Sequence, residues 1–147
     1  MTIVDKDRII GALEETWASI LSLCGGLTQA QWETPTDCPG WSVKDQVAHM
    51  VGTESALAGQ PVPAIDVERF GYLRNAIGRS NEAWVEQHRS RSGTAVRDEF
   101  RSITTQRLEV LRVQSQQEFD ADSATPAGPD TYGRFMRIRV MDCWVHE

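Results

Sequence analysis

Asp142 and His146 stand four residues apart, so on a helix their side chains share one face, one turn from each other. A carboxylate and an imidazole placed this way can grip one divalent ion from a single rigid element. Two donors alone bind weakly, and a D-x-x-x-H spacing arises often by chance. The third donor has to come from another helix, as metal sites in helical bundles usually require, and His49 is the candidate. Two nitrogens and one oxygen, with a fourth position open to water or substrate, make a zinc site of the catalytic type. Nickel, iron or manganese could occupy the same set. The competing reading is an ordinary contact between Asp142 and His146, with His49 a satisfied histidine at a helix–helix seam.

The elements that must position these residues are all helical by their apolar spacing. Ile9, Ile10, Leu13, Trp17, Ile20 and Leu21 recur at intervals of three and four, which predicts a first helix closed by a left-handed glycine at Gly25-Gly26. Thr34 to Gly40, with two prolines and a glycine, is a connecting loop. Ser42 fits an N-cap with Asp45 three residues on, so a second helix should run from there to Leu57 or Ala58. The stripe of that helix is Val43, Val47, Met50, Val51 and Leu57. Glu54 falls in the middle of it and His49 to one side.

Gly59 to Pro63 breaks the pattern, and a short helix is expected around Phe70 to Ile77. Trp84 to Val113 reads as one long helix, or as two broken near Gly93. Ser123 to Gly133 is the last loop. Phe135, Ile138, Met141 and Val145 then predict a final amphipathic helix, with Asp142 and His146 at the edge of its stripe. No alternating run reads as a strand. The expectation is an all-α fold, a four-helix bundle with an irregular, short-helix excursion between helices 2 and 3.

The chain has 147 residues, the size of one domain, expected to span 1–147. The last helix meets no stop signal at Glu147, so a native continuation is expected beyond it. The formal net charge is −6, and no concentrated cationic surface suggests a nucleic-acid partner. Charges interrupt the apolar residues of the first ten positions, so neither a signal peptide nor a membrane span is read there and a cytosolic protein is expected. Cys24, Cys38 and Cys143 form no CxxC pair, which favours free thiols over a thiolate zinc site. Trp41 and Trp144 read as core anchors and Cys38 as a packing or turn residue. His88, flanked by Gln87 and Arg89, reads as solvated.

The run Cys38-Pro39-Gly40-Trp41-Ser42-Val43-Lys44-Asp45-Gln46-Val47-Ala48-His49, continuing to Glu54, resembles the signature of the mycothiol-dependent maleylpyruvate isomerase N-terminal domain, a DinB-like family. That signature is roughly C-P-G-W-x-V-x-D-x-x-x-H-x-x-x-x-E. The segment Arg139 to Glu147 resembles the family's last-helix motif, R-x-x-E/D-x-W-x-H, and the two motifs stand in the expected order at opposite ends of the domain. The resemblance implies a divalent metal, zinc first and nickel next, on His49, Asp142 and His146. Asp142 departs from the glutamate of the isomerase itself and is one methylene shorter.

The resemblance further implies mycothiol, the low-molecular-weight thiol of actinobacteria, as cosubstrate. A metal-activated thiolate would attack a small electrophile in an isomerisation or a transfer, with no protein nucleophile. Pairing as a homodimer is also implied. Glu54 could orient a ligand histidine or bond elsewhere, and Arg139 could pair with Asp142 or meet an anionic substrate. The isomerase carries a further C-terminal domain that contributes to its substrate site, so activity on maleylpyruvate itself does not follow. The alternative is a metal-binding DinB-like stress or interaction module without turnover.

Overall fold

A computed structural model describes residues 1–147. Its order is α1 (Lys6–Cys24), α2 (Gln29–Trp32), α3 (Val43–Leu57), α4 (Ala76–His88), α5 (Gly93–Val113), α6 (Gln116–Phe119), β1 (Asp122–Thr125), β2 (Gly128–Thr131) and α7 (Tyr132–Val145). No helix is long and apolar enough to cross a membrane. The chain divides into two compact units, residues 23–104 and residues 1–22 with 105–147.

In the unit of residues 23–104, local chemistry sets the helix starts. Thr28 opens α2 and Ser42 opens α3, each through a reciprocal capping box, with Gln31 and Asp45 as the returning side chains. The Ser42 cap and the end of α3 at Leu57 fall where the sequence puts them. Glycines let the elements approach closely. A Cβ on Gly52 would stand 2.4 Å from both Cβ and Cγ of Trp84 on α4, and one on Gly93 would stand 2.1 Å from Cγ of the buried Trp32. Gly93 opens α5, so the break near it separates two helices. Residues 59–75 carry turns and no helix; the short helix expected over Phe70 to Ile77 is absent, and α4 starts only at Ala76, capped by Asn75.

In the other unit Leu13, Trp17, Leu111, Phe119 and Met136 are buried. The stretch expected as the last loop contains an antiparallel hairpin that pairs Asp122 with Thr131 and Thr125 with Gly128. Pro126 and Ala127 make its turn, and Gly128 closes it at φ +101°, a conformation open to a residue without Cβ. Strands of four residues with no more than half-buried side chains at most positions leave no alternation to find. Asp130 ties this hairpin to the N-terminal segment, accepting from the Thr2 amide at 2.5 Å and the Thr2 hydroxyl at 2.7 Å.

Three other expectations change. α1 does end at Cys24, but neither Gly25 nor Gly26 has positive φ, so no left-handed glycine closes it. On α7 the buried residues are Gly133, Met136, Arg139 and Cys143, while Met141 and Val145 are exposed. The buried face is therefore turned away from the apolar stripe. Trp144 is 67% exposed and anchors no core.

Candidate functional site

The signature loop is held before α3 begins. The Trp41 carbonyl accepts from the Thr36 amide at 3.0 Å and the Thr36 hydroxyl at 2.9 Å, and the Val43 amide donates to Thr34. Gly40 sits at φ +78° with the Tyr72 ring against it, 2.7 Å from where a Cβ would stand. Both the conformation and the contact require glycine there.

His49 lies two turns into α3 and is 4% exposed. Its ring is tilted against that of Trp41, with centroids 5.3 Å apart. Trp41 is fixed in turn by its indole N–H, which donates to Glu82 Oε2 at 2.7 Å. Glu82 is fully buried, and its other oxygen accepts from Arg89 at 2.9 Å. Arg89 also pairs with Glu86, reaches Asp45 at 3.8 Å and donates to the Gly40 carbonyl at 3.2 Å. One guanidinium thus serves three carboxylates and the signature loop, a role suited to its five planar donors. Burial tends to lower the Arg89 pKa, but Asp45, Glu82 and Glu86 outweigh it, so the net direction is up and the charge stays on.

Sequence reasoning missed Glu82, Arg89 and Tyr72. Nothing in their spacing marks them, because they meet the motif only through the loop after α3 and the face of α4.

Asp142 and His146 come together on α7 as their spacing requires, with His146 Nε2 3.6 Å from Asp142 Oδ1. Arg139, one turn earlier and 3% exposed, donates to the other carboxylate oxygen, Oδ2. The two oxygens therefore have separate duties: one is held by the guanidinium and the other faces the imidazole. Arg139 also donates to Cys143 Sγ at 3.3 Å, as does the Trp17 indole at 3.4 Å. These bonds let a charged residue and a thiol occupy the buried face of α7.

Asp142 and His146 offer a carboxylate oxygen and an imidazole nitrogen on α7, and His49 offers a second imidazole nitrogen on α3 in the other unit. Donors around a tetrahedral ion bound at roughly 2.0–2.2 Å stand about 3.3–3.6 Å apart, and the Asp142–His146 pair at 3.6 Å already has that spacing. Two imidazoles and a carboxylate also have the right chemistry for zinc and its neighbours. The residues fit a divalent ion. Glu54 is 1% exposed, the buried acid that the periodicity of α3 points to.

The remaining candidates separate by burial. Cys24, Cys38 and Cys143 are free thiols, with Cys38 half-buried. Burial pushes the Cys24 thiol up to about 11 against a smaller opposing effect of Arg97, so it is protonated at neutral pH.

His88 corrects the sequence reading: it is fully buried, not solvated. Its Nδ1 is 2.7 Å from the Trp84 carbonyl and therefore carries the ring proton, leaving Nε2 3.3 Å from Glu99. Arg91 pairs with that carboxylate and offsets its charge. Burial, the largest influence, holds the His88 pKa below the ordinary value; the Trp84 carbonyl opposes it and Arg91 adds to it.

The consequence for stability has a definite sign. The unfolded chain takes up a proton near pH 6.5 that the folded chain refuses, so stability falls as pH drops below about 6.5 towards the folded pKa. The slope has a ceiling of about 1.4 kcal/mol per pH unit for this one group. Thermal melts from pH 7.5 to 5.5 should show it, and His88→Gln should flatten it. An unchanged slope in the variant would refute the assignment.

Comparison with known proteins gives the family and the fold. A family model described as the mycothiol maleylpyruvate isomerase N-terminal domain matches residues 13–147. No curated protein matches the chain. Among solved structures, the mycothiol-dependent maleylpyruvate isomerase is similar with a TM-score of 0.73 at 14% identity, covering 99% of this chain and 62% of that one. The chain thus spans less than two thirds of that enzyme. A structure described as the sibling lethal factor precursor DfsB gives 0.71 at 16% identity, covering 99% and 92%. The colibactin self-resistance protein ClbS, in complex with a double-stranded DNA, gives 0.68 at 14% identity, covering 96% and 90%.

Identities this low establish the fold alone. The fold is the DinB-like helical one expected from the sequence. The exclusion of nucleic acid drawn from net charge does not stand, because a protein of this fold occurs with DNA bound.

Proposed function

Because the chain belongs to the mycothiol maleylpyruvate isomerase N-terminal domain family, we propose that it holds a divalent metal, zinc first, on His49, Asp142 and His146 and uses it to activate mycothiol against a small electrophile. The observation that carries this reading is the presence of all three donors in the two family motifs, with Asp142 and His146 3.6 Å apart on one face of α7. When bound, the ion would supply Lewis-acid chemistry that favours the thiolate form of a coordinated thiol at neutral pH.

The chain's own residues do the positioning. Trp41 packs against the His49 imidazole and restricts its rotation, and Glu82 fixes Trp41 by accepting its indole N–H. Arg139 holds Asp142 Oδ2, which leaves Oδ1 directed at His146. Cys24 stays protonated and supplies no competing nucleophile. Substrate, thiol and ion would meet at partly exposed Asp142 and His146, whose side chains keep 30% and 13% of their surface open.

The test is mycothiol-dependent consumption of an electrophile panel that includes maleylpyruvate, run on the zinc-loaded full chain and on His49→Ala. Activity lost by about 100-fold or more in the variant supports the reading. Full activity in His49→Ala refutes it. The second reading is a metal-binding module without turnover, favoured by the likeness of the fold to that of a colibactin self-resistance protein. It predicts bound metal with no thiol-dependent consumption of any panel member.

A further inference from the structure

Beside the signature loop lies a cavity of about 170 Å³ whose wall includes Cys38, Trp41, Tyr72, Leu73, Asn81 and Glu82, all within the unit of residues 23–104. Its size is telling. The pocket is open to solvent on one side, and its volume leaves room for a single six-membered ring. The wall is mainly apolar, with a few convergent polar groups, as small-molecule sites usually are.

Those polar groups say what kind of ring fits. Glu82 is the one charged group in the wall, and both of its oxygens are already engaged, by the Trp41 indole and by Arg89. The wall thus offers no free cation to an anionic ligand and no free carboxylate to a cationic one. The Tyr72 hydroxyl is buried beside the Glu82 carboxylate and the Arg89 guanidinium without a well-aligned bond to either, so its oxygen can still accept from a ligand. Burial first, and the neighbouring Glu82 carboxylate second, push its pKa up to about 12, so it keeps its proton and can both donate and accept. The Asn81 amide adds another donor and acceptor. A neutral ring carrying one hydroxyl satisfies this set.

We propose that the cavity is a binding site for a neutral single-ring molecule with a hydrogen-bonding oxygen, the phenol class. Trp41 forms its wall and touches His49 with its other contacts, so a bound ring lies one indole away from the proposed metal ligand. Any part of this pocket in the thiol reaction rests on the proposed function; the binding stands on the pocket alone.

The experiment is a titration of the ¹⁵N-labelled full chain with phenol, read at the Trp41 indole N–H signal and assigned with Trp41→Phe. A saturable shift with a dissociation constant on the order of 1 mM is expected for a ligand this small. Gly78 lines the cavity inside α4, and a Cβ there would make only ordinary contacts, 3.4 Å from Asn75 Oδ1 and 3.9 Å from Leu73 Cδ2. Gly78→Leu should therefore fill the space and weaken phenol at least about tenfold, by removing most of the apolar burial.

Tyr72→Phe should weaken phenol by roughly threefold to tenfold and leave toluene unchanged, the worth of one hydrogen bond. It decides the matter should Gly78→Leu fail to fold. No saturable shift in the wild type, or equal phenol affinity in a folded Gly78→Leu or in Tyr72→Phe, overturns the proposal. Repeating the titration on chelator-stripped protein separates the two readings. Phenol binding that persists there upholds the cavity even where metal analysis finds nothing.

Discussion

Protein purified without chelator or histidine tag is expected to carry close to one equivalent of zinc or nickel, and His146→Ala is expected to lose it. Two nitrogens and one oxygen make the set, and removing one nitrogen leaves a pair that water must complete. Changing groups that merely orient a ligand already costs 10- to 100-fold in affinity, so losing a ligand should cost about 100-fold or more. Fold stability should change little, since His146 caps α7 in its last turn and its removal opens no core cavity. Circular dichroism separates the two effects.

Asp142→Asn should weaken binding as well, because it removes the charge and deprives buried Arg139 of its ion pair. Asp142→Glu, the acid of the isomerase motif, should keep the metal. Plasma mass spectrometry on the wild type, these three variants and His49→Ala reads all of this. Full metal occupancy in both His146→Ala and His49→Ala, or none in the wild type after reconstitution, would remove the site.

Gly52→Ala should destabilise the fold by about 2 kcal/mol net, lowering the melting temperature by about 6 °C. On helix propensity alone the change should help, by about 1 kcal/mol. Packing reverses the sign. The added methyl would stand 2.4 Å from both Cβ and Cγ of Trp84, where real Cβ atoms are essentially never found. No rotamer of Trp84 relieves this, because its Cβ moves only with the backbone of α4. The helices must part, at the upper end of the 1–3 kcal/mol typical of overpacking.

Gly11→Ala is the control. It has nothing within 4 Å in α1, and it should stabilise by roughly 0.5–1 kcal/mol. Matching melts for Gly52→Ala and wild type would refute the close approach of α3 and α4 as the reason for glycine at this position.

Legibility from sequence followed the local rules and stopped where partners from distant segments decide. α3 was legible at both ends because Ser42 and Asp45 fix its start through bonds within four residues. The Asp142–His146 pair was legible for the same reason, as both sit on one helix. The facing of α7 was not. Periodicity puts Met141 and Val145 inside, but Arg139 and Cys143 take that face, because they bond to each other and Trp17 supplies a further donor. The polar neighbours Gln87 and Arg89 make His88 read as solvated, although the Trp84 carbonyl four residues earlier accepts its proton and lets it be buried. Glu82 and Arg89 carry no local signal at all; their partners lie more than thirty residues upstream, on Trp41, Gly40 and Asp45.

The reciprocal cap at Ser42 and Asp45 has a consequence for how this gene segment can change. His49 follows Ser42 by seven residues, two turns of helix, and each residue turns the chain by about 100°. Because the cap pins the first turn, the azimuth of His49 is decided by a count of residues more than by the identity of most of them. Lys44 or Val47 can be exchanged while the imidazole keeps its bearing. A single inserted or deleted codon between 42 and 49 would swing it about a quarter-turn or more, away from Trp41. A change of length between cap and histidine would therefore turn the imidazole away, whereas a substitution there acts through the packing of the buried positions 44–48.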